Sequence, residues 1–390
     1  MKTSKLTIKL AILFYSLVQI GTICISSVLA KIVELFPQYN ATTIQFLATC
    51  PCLVIIIMAL ATGKLAEFIS KKYLALFSSS MFIVTAVGGF VSHQSLFILY
   101  VWEITLGIGI GILVSLGTSL ITDYFDGEER KSIMGLQSAV ISIGGVVLSL
   151  FGGLLATIGW YYNYLTFLLI IPGFILLLIG LPVNRPIRAK KKSGVRVQVT
   201  ARVVIVYGVI AFLFMLLFNV IPTNLALHLK ETGIAGSVNA GIASAVLMLS
   251  GVPAGLLYKS LARLLGERVI ALGFFNLALG SFITTLSGSY ILILIGVFIA
   301  GFSLSLVMAQ TVVSIAEKEH AEAVTMSISF NMAINNMGSF LSPYFTKLAR
   351  MVLHNDLAVS RYQIVSVIAF LIAILLFYGL KNSHKADAVS

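Results

Sequence analysis

Apolar residues run along this chain in long blocks, each closed by a short polar connection. Blocks long enough to cross a bilayer as a helix, about 17–25 residues, fall at 8–29, 42–62, 74–92, 95–120, 133–155, 162–181, 201–222, 237–257, 268–287, 290–312, 324–346 and 361–380. These twelve predict an all-α polytopic membrane protein. The first block follows Lys2, Lys5 and Lys9, as the apolar core of a signal peptide would. It is too long for such a core and more spans follow, so it reads as the first span. The fourth stands out. Tyr100 to Asp123 is apolar but for Glu103, and it carries a glycine ladder at Gly107, Gly109, Gly111 and Gly117. A charge inside a membrane helix costs about 2.5–3.5 kcal/mol at mid-depth, so Glu103 is expected to face a cavity or a partner.

Composition agrees with the pattern. The chain is 59% hydrophobic and 10% charged, against about 25% charged in a soluble domain. Its net charge is +12, which in a soluble protein would suggest nucleic-acid binding. Here the position of the charges matters more, and no nucleic-acid partner is expected. With the N-terminus cytoplasmic, only Lys31, Lys230, Lys347, Arg350 and Arg361 fall outside, and the remaining 21 of the 26 Lys and Arg fall inside. Basic loops mark the cytoplasmic side, so twelve spans with both termini cytoplasmic are expected, in an inner or plasma membrane. The most polar connection, 182–200, separates residues 1–181 from residues 201–390 and six spans from six. Its basic run suits the anionic inner leaflet, where each Lys or Arg gains about 1 kcal/mol; a plain solvated linker is the alternative.

Enzyme chemistry finds little support. Cys24, Cys50 and Cys52 lie in apolar runs with no His nearby, and Cys50-Pro51-Cys52 reads as small fillers around a proline kink rather than a metal pair. His93, His228, His320, His354 and His384 lie in or near the expected loops, without ligand spacing. The run Gly107-Ile108-Gly109-Ile110-Gly111 sits in an apolar helix with no strand ahead of it, unlike a dinucleotide site. No Walker sequence is present, so ATP is not expected to drive the protein directly. No cofactor or metal is expected.

The halves repeat. Residues 63–76 placed over 259–272 align Leu65 with Leu261, Ala66 with Ala262, Lys72 with Arg268, Ala75 with Ala271 and Leu76 with Leu272, at an offset of 196. A shift of 194 places Gly107 on Gly301 and Gly144 on Gly338. Two related six-helix bundles are expected.

The connection Gly63-Lys64-Leu65-Ala66-Glu67-Phe68-Ile69-Ser70-Lys71-Lys72 resembles the G-x-L-a-D-r-x-G-r-r signature of the major facilitator superfamily. Gly63, Leu65 and Ala66 match outright, Glu67 stands for the Asp, and Lys71 and Lys72 stand for the basic pair. Ser70 and Phe68 depart from it. The run Asp123-Tyr124-Phe125-Asp126-Gly127-Glu128-Glu129-Arg130-Lys131 resembles the loop after span four, and Gly159-Trp160 before span six is similar too. With twelve spans and a central basic loop, the resemblance covers essentially the whole chain. It implies two pseudo-symmetric six-helix bundles, alternating access, and a cytoplasmic latch of Gly63, Glu67, Lys71, Lys72 and Asp123 that holds the outward-facing state. The alternative for those charges is plain decoration of a cytoplasmic loop.

The resemblance also implies a central cavity among spans one, four, seven and ten, with span eleven as a gate. The polar candidates are Tyr15 and Gln19, Glu103, Asn219, then Ser303, Ser305 and Gln310, and on span eleven Asn331, Asn335 and Asn336. Asn331 and Asn335 are four apart and share a face. For any single amide the plain role is a helix–helix hydrogen bond worth about 0.6 kcal/mol. For Glu103 it is a protonated carboxyl bonded to nearby backbone. Two departures from drug–proton antiporters are visible. Glu103 stands where their R-x-x-x-G-x-G pattern has the arginine, and span five keeps Gly144-Gly145 and Gly152-Gly153 without the G-P-x-x-G proline. A carboxyl here can hold a proton at neutral pH and release it to a cationic substrate or to water. No basic residue is expected at depth, which disfavours phosphates and dicarboxylates, and the aromatic content suits amphipathic neutral or cationic compounds. The expectation is proton-coupled export by a monomer; the alternatives are a symporter or facilitator importing a small organic solute, and a membrane sensor or scaffold on the same fold.

Overall fold

The computed structural model describes residues 5–183, 200–234, 236–286, 289–320, 323–353 and 357–380. Most of the expected linker at 182–200, together with His354 and His384, lies outside these residues. No strand occurs among the described residues. The chain forms two compact units: Met1–Val195 with Ala240–Ile242, and Arg196–Asn239 with Ala243–Ser390. Among the described residues, ten helical stretches are long and apolar enough to cross a membrane by length and composition. One of them, Ser237–Thr285, runs through two crossings joined by the tight 3-10 turn Gly266–Arg268, and the more polar helix Val324–Leu353 completes twelve.

In the first unit the crossings are α1 (Lys5–Ser16) continued by a 3-10 segment Gly21–Ser27, α3 (Ala41–Leu65), α4 (Lys71–Val91), α5 (Leu96–Tyr124), α6 (Gly127–Leu155), and a 3-10 segment Trp160–Ile170 leading into α7 (Ile171–Gly180). The short α2 (Leu29–Leu35) follows the first crossing. In the second unit they are α8 (Ala201–Phe218) with α9 (Val220–Glu231), α10 (Ser237–Leu249) with α11 (Gly251–Leu265), α12 (Val269–Thr285), α13 (Tyr290–Lys318), α14 (Val324–Leu353) and α15 (Ala358–Gly379).

The first crossing is broken rather than continuous. The chain leaves α1 at Ser16, turns through Leu17–Ile20, and resumes as 3-10 helix. Non-α backbone at membrane depth must find other partners, and it does. The Cys24 carbonyl accepts from Ser27 Oγ at 2.9 Å and from Asn163 Nδ2 at 3.2 Å. The seventh crossing breaks too, a little further along in the repeat, at Asn219, whose carbonyl accepts from Thr223 Oγ1 at 2.6 Å.

The repeat is visible in how glycines admit neighbouring backbone. A Cβ on Gly107 would lie 3.0 Å from the Pro51 carbonyl oxygen, and one on its repeat mate Gly301 would lie 2.2 Å from that of Leu247. Gly144 packs against the Leu17 carbonyl, where a Cβ would fall at 1.9 Å, and Gly338 against that of Phe212, at 2.4 Å. In both units, then, the fourth helix closes on the second, and the fifth on the first, through a glycine at matching position. Pro51 lies inside α3 and cannot donate to the Leu47 carbonyl; the Cys50 thiol donates to it instead, at 3.6 Å.

An aromatic cluster closes one end of the first unit. His93 stacks on Tyr161 at 4.0 Å and meets Trp160 edge-on at 5.4 Å. Trp102 fills the space left by Gly88 and donates to the Ser92 carbonyl at 2.9 Å.

Candidate functional site

Glu103 lies on α5, one turn before Gly107, and is fully buried. Its neighbours come from three other crossings. Tyr164 of the 3-10 segment, Cys24 of the broken first crossing and Cys50 of α3 all lie within electrostatic reach of the carboxyl. Tyr164 is placed by Gly89, where a Cβ would come within 2.4 Å of the phenol ring. The phenol approaches Glu103, but neither carboxyl oxygen nor the Tyr164 hydroxyl makes a well-formed hydrogen bond to the described protein atoms. Backbone bonding, the plain structural role for this acid, is therefore absent among the described residues. A buried polar group without a partner costs about 1–3 kcal/mol. Thr49, Ser70, Tyr164 and Thr166 of the same unit also bury an unbonded hydroxyl, but Glu103 is the buried acid among them and carries the larger cost when charged.

Tyr15 is placed differently from Glu103. It is fully buried and donates to Ser78 Oγ at 2.8 Å, and Ser78 donates to the Gly109 carbonyl at 2.8 Å. This relay joins α1, α4 and α5. Gln19 is half-buried in the break of the first crossing.

At the Lys71 end of the first unit, Lys71 Nζ lies 2.6 Å from Asp123 Oδ2 and 2.6 Å from Ser119 Oγ, both on α5. Lys72 turns away and caps the Leu178 carbonyl at 2.7 Å, at the end of α7. Glu67 is exposed and has no ion pair among the described residues. Gly63 is exposed too, and a Cβ on it would meet nothing within 4 Å.

In the second unit the amides form two groups. Asn219 Nδ2 donates to Ser339 Oγ at 2.9 Å, and Asn335 Nδ2 points at Met308 Sδ at 3.1 Å, so α8, α13 and α14 meet here. Asn331 and Asn335 are both buried on one face of α14, with Asn331 Nδ2 and Asn335 Oδ1 left without a hydrogen bond. Gln310 belongs elsewhere: it accepts from the Tyr258 hydroxyl at 3.0 Å and donates to Ser314 at 3.1 Å. Ser303 bonds back to Ala300 and Asn336 to Met332, both local bonds, while Ser305 donates across to the Gly251 carbonyl of α11 at 3.3 Å.

Two expectations need correction. The seventh crossing does not end near residue 222 but continues as α9 to Glu231. His228, expected near a loop, is buried in it, with Nε2 3.0 Å from the Thr284 carbonyl and Tyr362 edge-on at 5.1 Å. Arg361, expected in an outside loop, is buried in the first turn of α15 and hydrogen-bonds Asn224 Oδ1. A basic residue is thus buried after all. Hydropathy reads 223–231 as polar and ends the span; the structure gives those polar groups partners on other helices, Arg361 for Asn224, the Thr284 carbonyl for His228 and the Ala358 amide for Glu231, which lets the helix run on.

Sequence reasoning also missed an ion pair. In the second unit Lys318 pairs with Glu267 and donates to the Tyr207 hydroxyl at 2.6 Å. The repeat holds the signal: an offset of 196 puts Glu267 on Lys71, and 195 puts Lys318 on Asp123. The pair recurs with its charges exchanged. Arg268, on Lys72, likewise donates to a carbonyl at the end of the last crossing, Leu380, at 3.3 Å.

Residues 10–343 match the sequence model of the Major Facilitator Superfamily. The chain belongs to that superfamily. It is a membrane transporter and not an enzyme. Among curated relatives, a "Protein TsgA homolog" from Buchnera aphidicola subsp. Acyrthosiphon pisum (strain Tuc7) is 31% identical over 113 residues, 28% of this chain and 29% of that protein. "Riboflavin transporter RibZ" from Clostridioides difficile (strain 630) is 29% identical over 126 residues, 32% of this chain and 27% of that protein. The matches thus span under a third of the length of these relatives. Among solved structures, a D-xylose-proton symporter superposes with a TM-score of 0.74 at 17% identity, covering 97% of this chain and 98% of that one. The peptide-transporter-family protein PepTSo gives 0.76 at 12%, covering 99% of each. These likenesses establish the superfamily fold over nearly the full chain.

Proposed function

We propose that this superfamily member is a secondary active transporter that exports small amphipathic neutral or cationic organic compounds against protons by alternating access. It works as a monomer in the inner or plasma membrane with both termini cytoplasmic, its two bundles taken as residues 1–181 and 201–390 around the linker 182–200. The observation that carries the reading is Glu103, a fully buried acid approached by the Tyr164 hydroxyl but with no well-formed hydrogen bond and no ion pair among the described residues. A carboxyl so placed is costly to leave charged, so it gives up its proton only when a cationic guest or water enters to compensate the charge. Tyr164 is the nearest hydroxyl able to follow that exchange; within the second bundle Asn219, Gln310, Asn331 and Asn335 are the proposed amide contacts to substrate. Tyr15 and Gln19 complete the set from the first crossing. Gly63, Glu67, Lys71, Lys72 and Asp123 form the cytoplasmic latch.

Glu103→Gln tests this in proteoliposomes under an imposed pH gradient. The variant should lose proton-coupled transport while its melting temperature stays equal or rises, because a neutral amide is cheaper to bury. Wild-type coupling in the variant would sink the proposal. A second reading is movement of a small organic solute inward, as symporter or facilitator; the partial likeness to a riboflavin transporter supports a small organic solute in either direction. Transport that runs down a substrate gradient at equal rate with and without a pH gradient would select the facilitator.

A further inference from the structure

Helices α12 and α15 are pinned together where Ser366 Oγ donates to the Ala278 carbonyl at 2.9 Å. Towards the Gly266–Arg268 turn they part around a groove of about 400 Å³. Phe275, Phe370, Ile374 and Phe377 line it, each between 40% and 46% exposed, and Tyr378 stands at its rim 81% exposed. In water such a face would be an association surface. Both helices cross the membrane, so what meets it is hydrocarbon.

One charged side chain lines this groove. Arg268 lies with its guanidinium 4.7 Å above the centre of the Phe377 ring, and its Nε donates to the Leu380 carbonyl at 3.3 Å. The ring and the carbonyl fix the fork in place and use Nε; the terminal N–H groups are not used by either contact. The adjacent acid, Glu267, pairs with Lys318 instead. A fixed guanidinium at the end of an apolar channel is complementary to a phosphate that carries acyl chains, since its paired N–H donors fit phosphate oxygens.

We propose that this groove is a binding site for an anionic glycerophospholipid, with the headgroup phosphate on Arg268 and an acyl chain along Phe275, Phe370 and Phe377. The orientation proposed above puts the Arg268 end at the cytoplasmic leaflet, where basic residues at the surface recruit anionic lipid. A second groove supplies a built-in comparison. It lies between α14 and α15, and Phe345, Leu348, Val367 and Gln363 line it with no charged side chain. It takes hydrocarbon without regard to headgroup.

The test is lipid retention by the purified full chain in native mass spectrometry, after equilibration with equal phosphatidylglycerol and phosphatidylcholine in mixed micelles. Wild type should hold phosphatidylglycerol in several-fold excess as one tightly kept molecule. Arg268→Gln should abolish the excess and Arg268→Lys should keep part of it. Ile374→Trp, which fills the groove and leaves the arginine, should lower retention of phosphatidylglycerol, and it keeps the test open should the Arg268 variants fold poorly. Leu348→Trp, in the uncharged groove, should leave the excess unchanged. Equal retention of both lipids by wild type, an undiminished excess in Arg268→Gln, or full displacement by soluble glycerol phosphate would overturn the assignment.

Discussion

Two buried glutamates show how far surroundings decide what a residue does. Glu319, between α13 and α14 and outside the crossings, accepts from Thr200 Oγ1 at 2.8 Å, from the Thr200 amide at 3.1 Å, from Ser327 Oγ at 3.1 Å and from the His320 amide at 3.3 Å. Burial alone would push its carboxyl up, but these donors together outweigh it and hold the group below the usual carboxylate range. A carboxyl lowered on folding stabilises the fold fully above its unfolded value, about 4.3, and the contribution fades as the pH falls through the folded value. The melting temperature of wild type should therefore exceed that of Glu319→Gln at pH 7, and the gap should close on acidification below about pH 4. A gap that stays constant down to acid pH would mean the charge of Glu319 contributes nothing. Glu103 is the opposite case: the same side chain, more deeply hidden, approached by the Tyr164 hydroxyl but with no well-formed hydrogen bond to the protein among the described residues. The first arrangement suits a structural clamp and the second a group that changes state.

At the scale of helices, glycine is used for backbone contact in some places and not in others. Gly144→Ala would drive a Cβ to 1.9 Å from the Leu17 carbonyl oxygen, so α6 must move off the broken first crossing. A loss of about 1–3 kcal/mol is expected, as for overpacked cores, seen as a lower melting temperature in detergent. Gly338→Ala should behave alike against Phe212. Gly63→Ala should not: it meets nothing within 4 Å and lies in a helix, where the change stabilises by about 0.4–1 kcal/mol. A transport defect without a folding defect at Gly63 would fit a role in the latch; unchanged transport would remove it from that set. These contrasts also show what was legible beforehand. Twelve crossings could be read because membrane depth imposes one apolar length on each, and the glycine pairs at 107 and 301, and 144 and 338, could be aligned because their spacing is local. The breaks at Leu17–Ile20 and Asn219 could not, since 3-10 and α segments of a span share one apolar composition. The buried placing of Arg361 and His228 stayed hidden because hydropathy scores each polar residue alone, while burial depends on partners such as Asn224 and the Thr284 carbonyl. The surroundings of Glu103 were equally out of view, as Cys24, Cys50 and Tyr164 come from separate crossings.

Across the whole molecule, each unit carries one ion pair at the corresponding helix ends, with the signs exchanged: Lys71 to Asp123 in the first, Glu267 to Lys318 in the second. Partly exposed pairs of this kind are worth at most about 1 kcal/mol to folding, too little to explain their recurrence by stability alone. A population of two conformers responds to the same energy, about 1.4 kcal/mol for each tenfold shift. Lys71→Asp should therefore leave the protein folded and change the accessibility of single cysteines placed on the two membrane faces, and the exchange Lys71→Asp with Asp123→Lys should restore the wild-type pattern. Accessibility that is unchanged in the single variant would separate this pair from the transport cycle.

The tryptophans lend the first unit a property the second lacks. The chain has two, Trp102 and Trp160, and both sit in the first unit, Trp160 edge-on to the His93 and Tyr161 stack and Trp102 on the Ser92 carbonyl next to His93 in sequence. Tryptophan emission, excited selectively over tyrosine, is thus a one-sided optical signal: it comes from the bundle that holds Glu103 and from no indole of the bundle that holds Arg268. A guest that quenches it has been sensed by the first six crossings, and an indole added to the second unit would be read against a background whose two sources are already assigned.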